Sequence, residues 1–375
     1  MLSSRKRVST ALEHEKPDRI PIDFWAVEAV KESLKRLLDI QKEEDLLKRL
    51  GVDIRRIDSR YIGPKERDSR KPKCGGYEDS IRKGQYDSYT NIFGIGFEEI
   101  EGKLVKELQL SFWPLRDVRD ISQVEEYGWP SADWFDRSKI KSEIERLNSS
   151  GEYWIQYDQK GYQGVFETAW AMRGFEQFLM DLIVDPELAC KIMDKIAEFQ
   201  IEDILRTLEA AEDQIDMVYI SDDLGGQDGM ILSPQIWREY VRPREERIIK
   251  VIKDNYSSVR IMYHSCGSII PVVKDLLEIG VDILNPLQLR AKGMNPGELK
   301  RRYGDRLCFH GGMDLQRILP YGTEREIRVE VKRLIDILGE QGGYIFGPSE
   351  FIQPDTSPGD ILAMYEAARE YRYKK

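Results

Sequence analysis

Short apolar runs alternate with longer amphipathic stretches along most of the chain, and this alternation limits the folds that the sequence can adopt. The short runs have the pattern of buried strands, and the stretches between them have the pattern of helices. Eight such units in succession predict an α/β protein, a closed (β/α)8 TIM barrel rather than an open doubly wound sheet. The predicted strands span residues 19–26, 52–58, 153–159, 216–223, 259–266, 281–288, 306–314 and 344–350.

The alternation fails between about residues 60 and 150. Residues 61–80, YIGPKERDSRKPKCGGYEDS, are typical of a polar loop, and residues 91–111, NIFGIGFEEIEGKLVKELQLS, are typical of a β-hairpin. A structureless loop of this length would be unusual in a compact domain. We therefore expect one domain over residues 1–375, with a loop and hairpin region inserted after the second strand. A two-domain chain that divides near residue 150 is the alternative.

The charge and the cysteines limit the class of protein. The formal net charge is −10 and the pI is about 5.2, which argues against nucleic acid or an anionic membrane as the partner. The four cysteines are widely spaced and form no disulfide framework, as expected in a reducing cytosol. Neither a signal-peptide pattern nor an apolar run of about 18 residues occurs. We therefore expect a cytoplasmic protein that acts on a small molecule.

Polar side chains concentrate where the predicted strands end. Barrel enzymes place their chemistry at this mouth, because the strand ends converge there and the following loops can vary. The side chains in question are Asp222, Asp223, His264, Cys266, Gln288, His310, Asp314 and Glu350.

His264 and Cys266 lie two residues apart in IMYHSCGSI, residues 261–269. Residues i and i+2 of a strand point to the same side, so the imidazole and the thiolate can approach one Zn²⁺ ion. Glu350 is the predicted third ligand, since a buried carboxylate without a partner is costly. Three protein ligands and an open position are typical of catalytic zinc. The alternatives are a buried histidine beside an apolar cysteine, and a carboxylate that caps a helix or lies at the surface.

Asp222 and Asp223 end the fourth predicted strand and are candidate catalytic residues. Neighbouring residues of an extended segment point opposite ways, so at most one of them faces the mouth. Such a carboxylate can act as a general acid or base, hold the substrate or bind a cation, while turn formation and helix capping are the alternative. Gln288, His310 and Asp314 are candidate substrate-binding residues. For His310, a structural histidine with satisfied hydrogen bonds is the simpler interpretation.

Several long motifs resemble those of the uroporphyrinogen-decarboxylase-like superfamily, and most closely the branch of corrinoid-dependent methyltransferases. The resemblance extends from near residue 5 to near residue 372, and it implies a (β/α)8 barrel with its active site at the carboxyl-terminal mouth. The motifs are EKPDRIPIDFW, NIFGIGF, EEYGWPSADWFD, SDDLGGQDGMILSPQIWREYVRP, HSCGSI, GVDILNPLQLRAKGMNPGELKRRYGDRLCFHGGMDLQ and PSEFIQPDTSPGDILAMYEAARE.

The sequence departs from true uroporphyrinogen decarboxylases at two places. Those enzymes carry an arginine-rich RQAGR-type segment that clamps the carboxylates of the substrate, whereas residues 19–30 here read RIPIDFWAVEAV. A site for an octa-carboxylate without these guanidinium groups lacks its main counter-charges. The late histidine of that family is also missing, and Glu350 falls near its position. The resemblance therefore favours methyl transfer over decarboxylation.

In the methyltransferase branch, an H-x-C pair and a later cysteine bind zinc. His264 and Cys266 match the pair, and Glu350, or as a weaker fit Ser349, stands where the late cysteine is expected. Oxygen ligation leaves zinc a harder Lewis acid, suited to polarising a methoxyl or alcohol oxygen. We therefore expect methyl transfer between a small methylated substrate and a corrinoid.

The corrinoid is expected on a partner protein, because no D-x-H-x-x-G-like cobalamin motif occurs in this chain. A homodimer is expected by analogy with dimeric relatives. Two other functions stay open. One is a metal-free carboxy-lyase whose mouth would need arginines such as Arg173, Arg242 and Arg290, and the other is a non-catalytic protein that binds a corrinoid or tetrapyrrole.

Overall fold

The computed structural model describes residues 2–64, 82–83, 88–102, 106–149, 151–158 and 164–373. The strands are β1 (Ile54–Ile57), β2 (Arg60–Tyr61), β3 (Arg82–Lys83), β4 (Ser88–Thr90), β5 (Gly96–Glu101), β6 (Lys106–Phe112), β7 (Phe135–Asp136), β8 (Trp154–Asp158), β9 (Met217–Ser221), β10 (Arg260–His264), β11 (Ile283–Asn285), β12 (Cys308–Met313) and β13 (Tyr344–Pro348).

The helices lie between and after these strands. They are α1 (Ser4–Leu12), α2 (Glu28–Leu38), α3 (Glu43–Leu50), α4 (Ile121–Glu126), α5 (Ile140–Asn148), α6 (Val165–Arg173), α7 (Phe175–Val184), α8 (Pro186–Ala210), α9 (Pro234–Ile236), α10 (Arg242–Asn255), α11 (Val273–Glu278), α12 (Pro296–Tyr303), α13 (Ile318–Tyr321), α14 (Glu324–Leu338) and α15 (Pro358–Glu370). Within the described part of the chain, no helix has the length and apolar character needed to cross a membrane.

Seven strands form one parallel sheet in the order β1-β8-β9-β10-β11-β12-β13. Each of them lies within a predicted strand, and consecutive sheet strands in the chain are neighbours in the sheet. The predicted α/β class is therefore confirmed, with a TIM-barrel-like parallel sheet.

The predicted first strand, 19–26, is not a continuous strand. Only Ile22 and Ala26 form parallel bridges, which pair them with Phe346 and Ile352. Pro21 has no N–H group, and the N–H of Ile22 donates to the carboxylate of Asp53 instead of to a neighbouring strand.

Residues 21–23 nevertheless connect the two edges of the sheet. On one side, the N–H of Asp23 donates to the carbonyl of Phe346 in β13 at 2.9 Å. On the other side, the N–H of Asp53, just before β1, donates to the carbonyl of Ile22 at 2.8 Å. The sheet therefore curls around an interior.

That interior is apolar at the amino ends of the strands and polar at their carboxyl ends. The apolar layer contains one buried side chain from each of the seven strands, and Val8 and Leu12 of α1 pack against it. Side chains two residues further along point to the same side. The apolar layer is Ile54, Trp154, Met217, Met262, Ile283, Cys308 and Ile345. The polar layer above it includes Arg56, Gln156, Tyr219, His264, Asn285 and His310.

The chain between β1 and β8 contains a second sheet. Strands β3 to β6 form an antiparallel sheet in chain order, and β2 pairs with β7. The predicted hairpin corresponds to the antiparallel pair β5 and β6, whose connection at 103–105 lies outside the described residues. Residues 65–80, most of the predicted polar loop, also lie outside them.

Candidate metal centre

Four polar side chains converge at the carboxyl ends of β9, β10 and β13. The Sγ atom of Cys266 lies 3.5 Å from Nε2 of His264 and 3.4 Å from Oε2 of Glu350. The same Nε2 atom lies 3.5 Å from Oδ1 of Asp223 and 3.8 Å from Oε2 of Glu350. The structure therefore brings the three predicted ligands together and adds Asp223, which was a candidate catalytic residue.

The spacing of these donor atoms fits a zinc ion. One donor atom each from Asp223, His264 and Cys266 lie within 4.8 Å of one another. Ligand atoms of tetrahedral zinc lie about 3.3–3.8 Å apart, since the bonds to nitrogen, oxygen and sulfur are about 2.0–2.3 Å long. Imidazole, thiolate and carboxylate are the side chains that zinc prefers. Glu350 contacts two of the three and is available as an additional or exchanging ligand.

The electrostatics of the cluster also suit a cation. Burial raises the pKa of the Cys266 thiol far above its ordinary value, and the carboxylates of Asp223 and Glu350 raise it further. Among the residues that the structure describes, no lysine or arginine forms an ion pair with Asp223 or Glu350. The cluster therefore gathers negative charge without a protein counter-charge, and a bound cation would supply one.

The backbone around Cys266 is held by two side chains from neighbouring loops. Oδ1 of Asp223 accepts from the N–H of Cys266 at 2.7 Å, and Oε1 of Gln288 accepts from the N–H of Gly267 at 2.9 Å. Gly267 has φ = +77°, and a Cβ atom there would lie 2.4 Å from the backbone of Gly225. Only glycine fits this position. Gln288, a candidate substrate-binding residue, thus supports the loop that carries Cys266.

Asp222 holds the start of helix α6. Its two carboxylate oxygens accept from the N–H groups of Phe166 and Glu167, each at 2.8 Å, in the manner of a helix cap. Gly164 permits this approach, because a Cβ atom at that position would lie 2.4 Å from Cβ of Asp222. Burial raises the pKa of Asp222 to about 7, although the two backbone donors lower it. Of the two aspartates, Asp223 is the one whose carboxylate lies beside His264 and Cys266.

His310 and Asp314 contact protein groups. His310 is fully buried, and its ring nitrogens contact Asn285 and Asp23. Asp314 accepts from the N–H groups of Gln316 and Arg317 and so shapes the turn after β12. For His310, this placement favours the structural interpretation over direct contact with substrate.

Glu167, in the first turn of α6, is a site residue that the sequence analysis missed. Its carboxylate accepts a hydrogen bond from the backbone of Asp223. Burial raises the pKa of Glu167 well above its ordinary value, and Asp223 and Asp222 add to the effect. In the sequence, an acidic residue at the start of a helix is ordinary, because it suits the helix dipole. No pattern along the chain distinguishes Glu167 from such a residue.

Glu167 also lines a cavity of about 550 Å³ between α6 and the antiparallel sheet. The other lining side chains are mainly apolar or aromatic. They are Phe97, Leu108, Gln109, Leu110, Trp113 and Trp170. The cavity and the metal-ligand cluster therefore share Glu167 as a neighbour.

Comparisons with known proteins assign the family. Residues 162–371 match the model of the family described as uroporphyrinogen decarboxylase (URO-D). The uroporphyrinogen decarboxylase of Chlorobium phaeobacteroides is 25% identical over 195 residues, which are 51% of each protein. That of Alcanivorax borkumensis is 28% identical over 193 residues, 50% of each protein. The chain thus spans about half the length of these curated relatives.

A solved structure extends the likeness to the whole chain. The methyltransferase from Methanosarcina mazei superposes with a TM-score of 0.65 over 99% of both chains, at 16% identity. At this identity the match shows a shared fold. Since the family model covers more than half of the sequence, the chain belongs to the uroporphyrinogen decarboxylase family.

Proposed function

We propose that this chain is an enzyme that transfers a methyl group between a small methylated substrate and a corrinoid, with the help of a zinc ion. The observation that carries the proposal is the cluster of donor atoms of Asp223, His264 and Cys266, with Glu350 beside His264 and Cys266. Among the residues that the structure describes, no lysine or arginine pairs with either carboxylate. When bound, zinc acts as a Lewis acid that polarises the heteroatom carrying the methyl group.

The ligand residues divide into an inner and an outer pair. His264 is buried, and Cys266 is half-buried beside it, so these two side chains form the inner wall. The side chains of Asp223 and Glu350 are 37% and 36% exposed, which places them on the open side of the cluster. The substrate heteroatom would enter from this side, and one of the two carboxylates would yield its place to it. This arrangement provides three protein ligands and one open position.

The cavity beside Glu167 is the proposed site for the remainder of the substrate. Its lining by phenylalanine, leucine and tryptophan side chains suits an apolar or aromatic group. Burial and the neighbouring carboxylates Asp223 and Asp222 raise the pKa of Glu167, which favours its protonated form. In its protonated form it could donate a hydrogen bond to an oxygen of the substrate.

The arginines named for the carboxy-lyase alternative are engaged elsewhere. The guanidinium group of Arg173 is buried and donates to Asp181 and to the carbonyls of Leu115, Arg116 and Val118. Arg242 pairs with Asp275. Arg290 lies 3.5 Å from Asp314 and is 36% exposed, so it is the least engaged of the three. Arg173 and Arg242 are not free to bind a polycarboxylate substrate, which supports methyl transfer over decarboxylation in spite of the family name.

The corrinoid is proposed to be carried by a partner protein, so free cob(I)alamin is the probe for the first test. Purified protein is supplied with zinc, cob(I)alamin and a panel of methoxylated and methylated compounds, and methylcobalamin formation is followed by its absorbance. We expect turnover by the wild type and by Cys190→Ala, and none by His264→Ala. Decarboxylation of uroporphyrinogen without any methyl transfer would overturn the proposal.

A further inference from the structure

A line of buried hydrogen bonds runs behind His264, on the side away from the metal-ligand cluster. Nδ1 of His264 lies 2.6 Å from Oδ1 of Asn285, and Nδ2 of Asn285 lies 2.6 Å from Nδ1 of His310. Nε2 of His310 lies 2.9 Å from Oδ2 of Asp23. All four residues are buried, with exposed fractions of 6% or less. The line therefore connects a carboxylate on residues 19–26 with the proposed ligand at the end of β10.

The register of the parallel sheet produces this line. His264 lies opposite Asn285 in the pairing of β10 with β11, and the pairing of β11 with β12 reaches Leu284 and Phe309, one residue before Asn285 and His310. Side chains of neighbouring strands at the same height lie in contact distance. The three polar side chains thus belong to the polar layer of the sheet interior.

The ionisation state of Asp23 determines which atom donates and which atom accepts in each hydrogen bond of this line. Although burial raises its pKa, Arg56 and His310 lower that pKa below the ordinary value, so Asp23 is ionised. An ionised carboxylate only accepts hydrogen bonds. His310 must then donate from Nε2. Its Nδ1 atom faces the amide nitrogen of Asn285, which can only donate, so Nδ1 accepts.

The direction continues through Asn285 to His264. The Nδ2 group of Asn285 donates to His310, so its Oδ1 atom faces His264 and accepts. Nδ1 of His264 consequently carries the proton. Its Nε2 atom is left with a lone pair, and this is the atom that lies 3.5 Å from both Cys266 and Asp223.

We propose that Asp23, acting through His310 and Asn285, fixes the tautomer of His264 so that its Nε2 lone pair points at the metal-ligand cluster. The use of this lone pair for zinc rests on the proposed function, whereas the tautomer itself does not. Asp23, His310 and Asn285 are positioning residues. Hydrogen-bond partners of a ligating histidine typically change metal affinity by about 10–100-fold.

If the donors and acceptors of this line were reversed, His264 would adopt the other tautomer. Asn285 would then donate to Nδ1 of His264, and Nε2 of His264 would carry the proton. That N–H group would donate to Asp223 or Glu350 and could not bind a metal. The two directions are therefore distinguishable by which nitrogen of His264 is protonated.

The test is a nitrogen-15 NMR measurement on the metal-free protein with labelled histidine. The chain has three histidines, so the spectrum is simple to assign with single substitutions. At about pH 8, above the ordinary pKa of histidine, we expect His264 protonated at Nδ1 and unprotonated at Nε2. Protonation at Nε2 in the wild type would overturn the proposal without any variant.

Two substitutions of His310 test the transmission from Asp23. His310→Leu removes the acceptor that orients Asn285, so we expect His264 to show both tautomers and zinc to bind about 10-fold more weakly. His310→Gln has an amide that can accept from Asn285 and donate to Asp23, so it should restore the single tautomer. Circular dichroism checks that both variants fold.

The outcomes separate this inference from the proposed function. A single Nδ1–H tautomer that His310→Leu abolishes supports the inference even if the protein binds no zinc. Zinc binding with an unchanged tautomer and unchanged affinity in His310→Leu would overturn the inference and leave the proposed function intact.

Discussion

Carboxylates at the two ends of the parallel sheet differ in whether they pair with arginine or lysine. At the amino ends of β1, β9 and β11, an aspartate directly precedes the strand and accepts from a backbone N–H group of the element beside it. Each of these aspartates also pairs with arginine or lysine. The pairs are Asp53 with Arg7 and Arg19, Asp216 with Arg5, and Asp282 with Lys253 and Arg260.

At the carboxyl ends, Asp223 and Glu350 have no such partner among the described residues. Asp23 and Asp158, also at this end, share Arg56, so counter-charges are not excluded from the region as a whole. Leaving carboxylates together without a cation costs stability. The difference indicates that the carboxylates of the amino end contribute to stability, and it supports the proposal that Asp223 and Glu350 bind a cation.

The largest effect expected from this comparison is on stability. Asp53→Ala leaves the buried Arg7 and the partly buried Arg19 without their carboxylate and should lower the free energy of unfolding by about 3–5 kcal/mol. Asp223→Ala removes a carboxylate without a lysine or arginine partner, but also the acceptor of the Cys266 N–H group, so it should lower the free energy of unfolding by at most about 1–2 kcal/mol. Urea denaturation of both variants measures the contrast, and equal losses would contradict it.

The next effect is the stabilisation by zinc. Free zinc at 100 times its Kd should raise the free energy of unfolding of the wild type by about 2.7 kcal/mol, because only the folded chain assembles the site. His264→Ala should lose this gain. His14→Ala, a histidine near Cys308 at the amino end, is the matched control and should keep it. If zinc still raised the free energy of unfolding of His264→Ala, zinc would bind at a different site.

The third effect is the pH dependence of zinc binding. The Cys266 thiol keeps its proton at neutral pH because burial and two carboxylates raise its pKa. Zinc binds the thiolate, so binding releases that proton and the affinity should rise about tenfold per pH unit between about pH 6 and 8. Titration calorimetry in two buffers of different ionisation enthalpy measures the number of protons that zinc binding releases. Cys308→Ser should give the same count, and an affinity independent of pH would exclude Cys266 as a ligand.

The smallest effect on stability is expected for the exposed ion pair of Arg5 with Asp216, at the amino ends of the strands. Arg5 is 47% exposed, so its ion pair with Asp216 is screened by solvent. Arg5→Ala should lower the free energy of unfolding by about 0.5–1 kcal/mol. If Arg5→Ala lowered the free energy of unfolding as much as Asp53→Ala, the solvent exposure of an ion pair would not determine its contribution to stability.

The sequence predicts those parts of the molecule that depend on the local spacing of apolar and polar residues. The apolar runs identify seven strands of the sheet and place His264 at the end of one of them. β10 ends at His264, so the contact between His264 and Cys266, although predicted, depends on the loop that follows the strand. Glu350 follows from its position at a strand end. The predicted hairpin corresponds to the antiparallel pair β5 and β6.

The parts that depend on contacts between distant segments were not predictable. β9 ends at Ser221, so strand alternation does not decide which of Asp222 and Asp223 faces the cluster. The capping of α6 by Asp222 requires the close approach of Gly164, and the line from Asp23 to His264 requires the register of three elements. The strand at 19–26 was overpredicted because the side chain of Asp53 takes the N–H of Ile22. The corrinoid partner and the homodimer stay predictions.

Metal analysis of the purified protein tests the central claim most directly. Wild type, Cys266→Ala and the matched control Cys308→Ala are supplied with zinc, freed of excess metal and assayed for bound zinc by elemental analysis. We expect about one equivalent of zinc in the wild type and in Cys308→Ala, and a loss of most of it in Cys266→Ala. No zinc in the wild type, or a full equivalent in Cys266→Ala, would contradict the claim that this cluster is a metal centre.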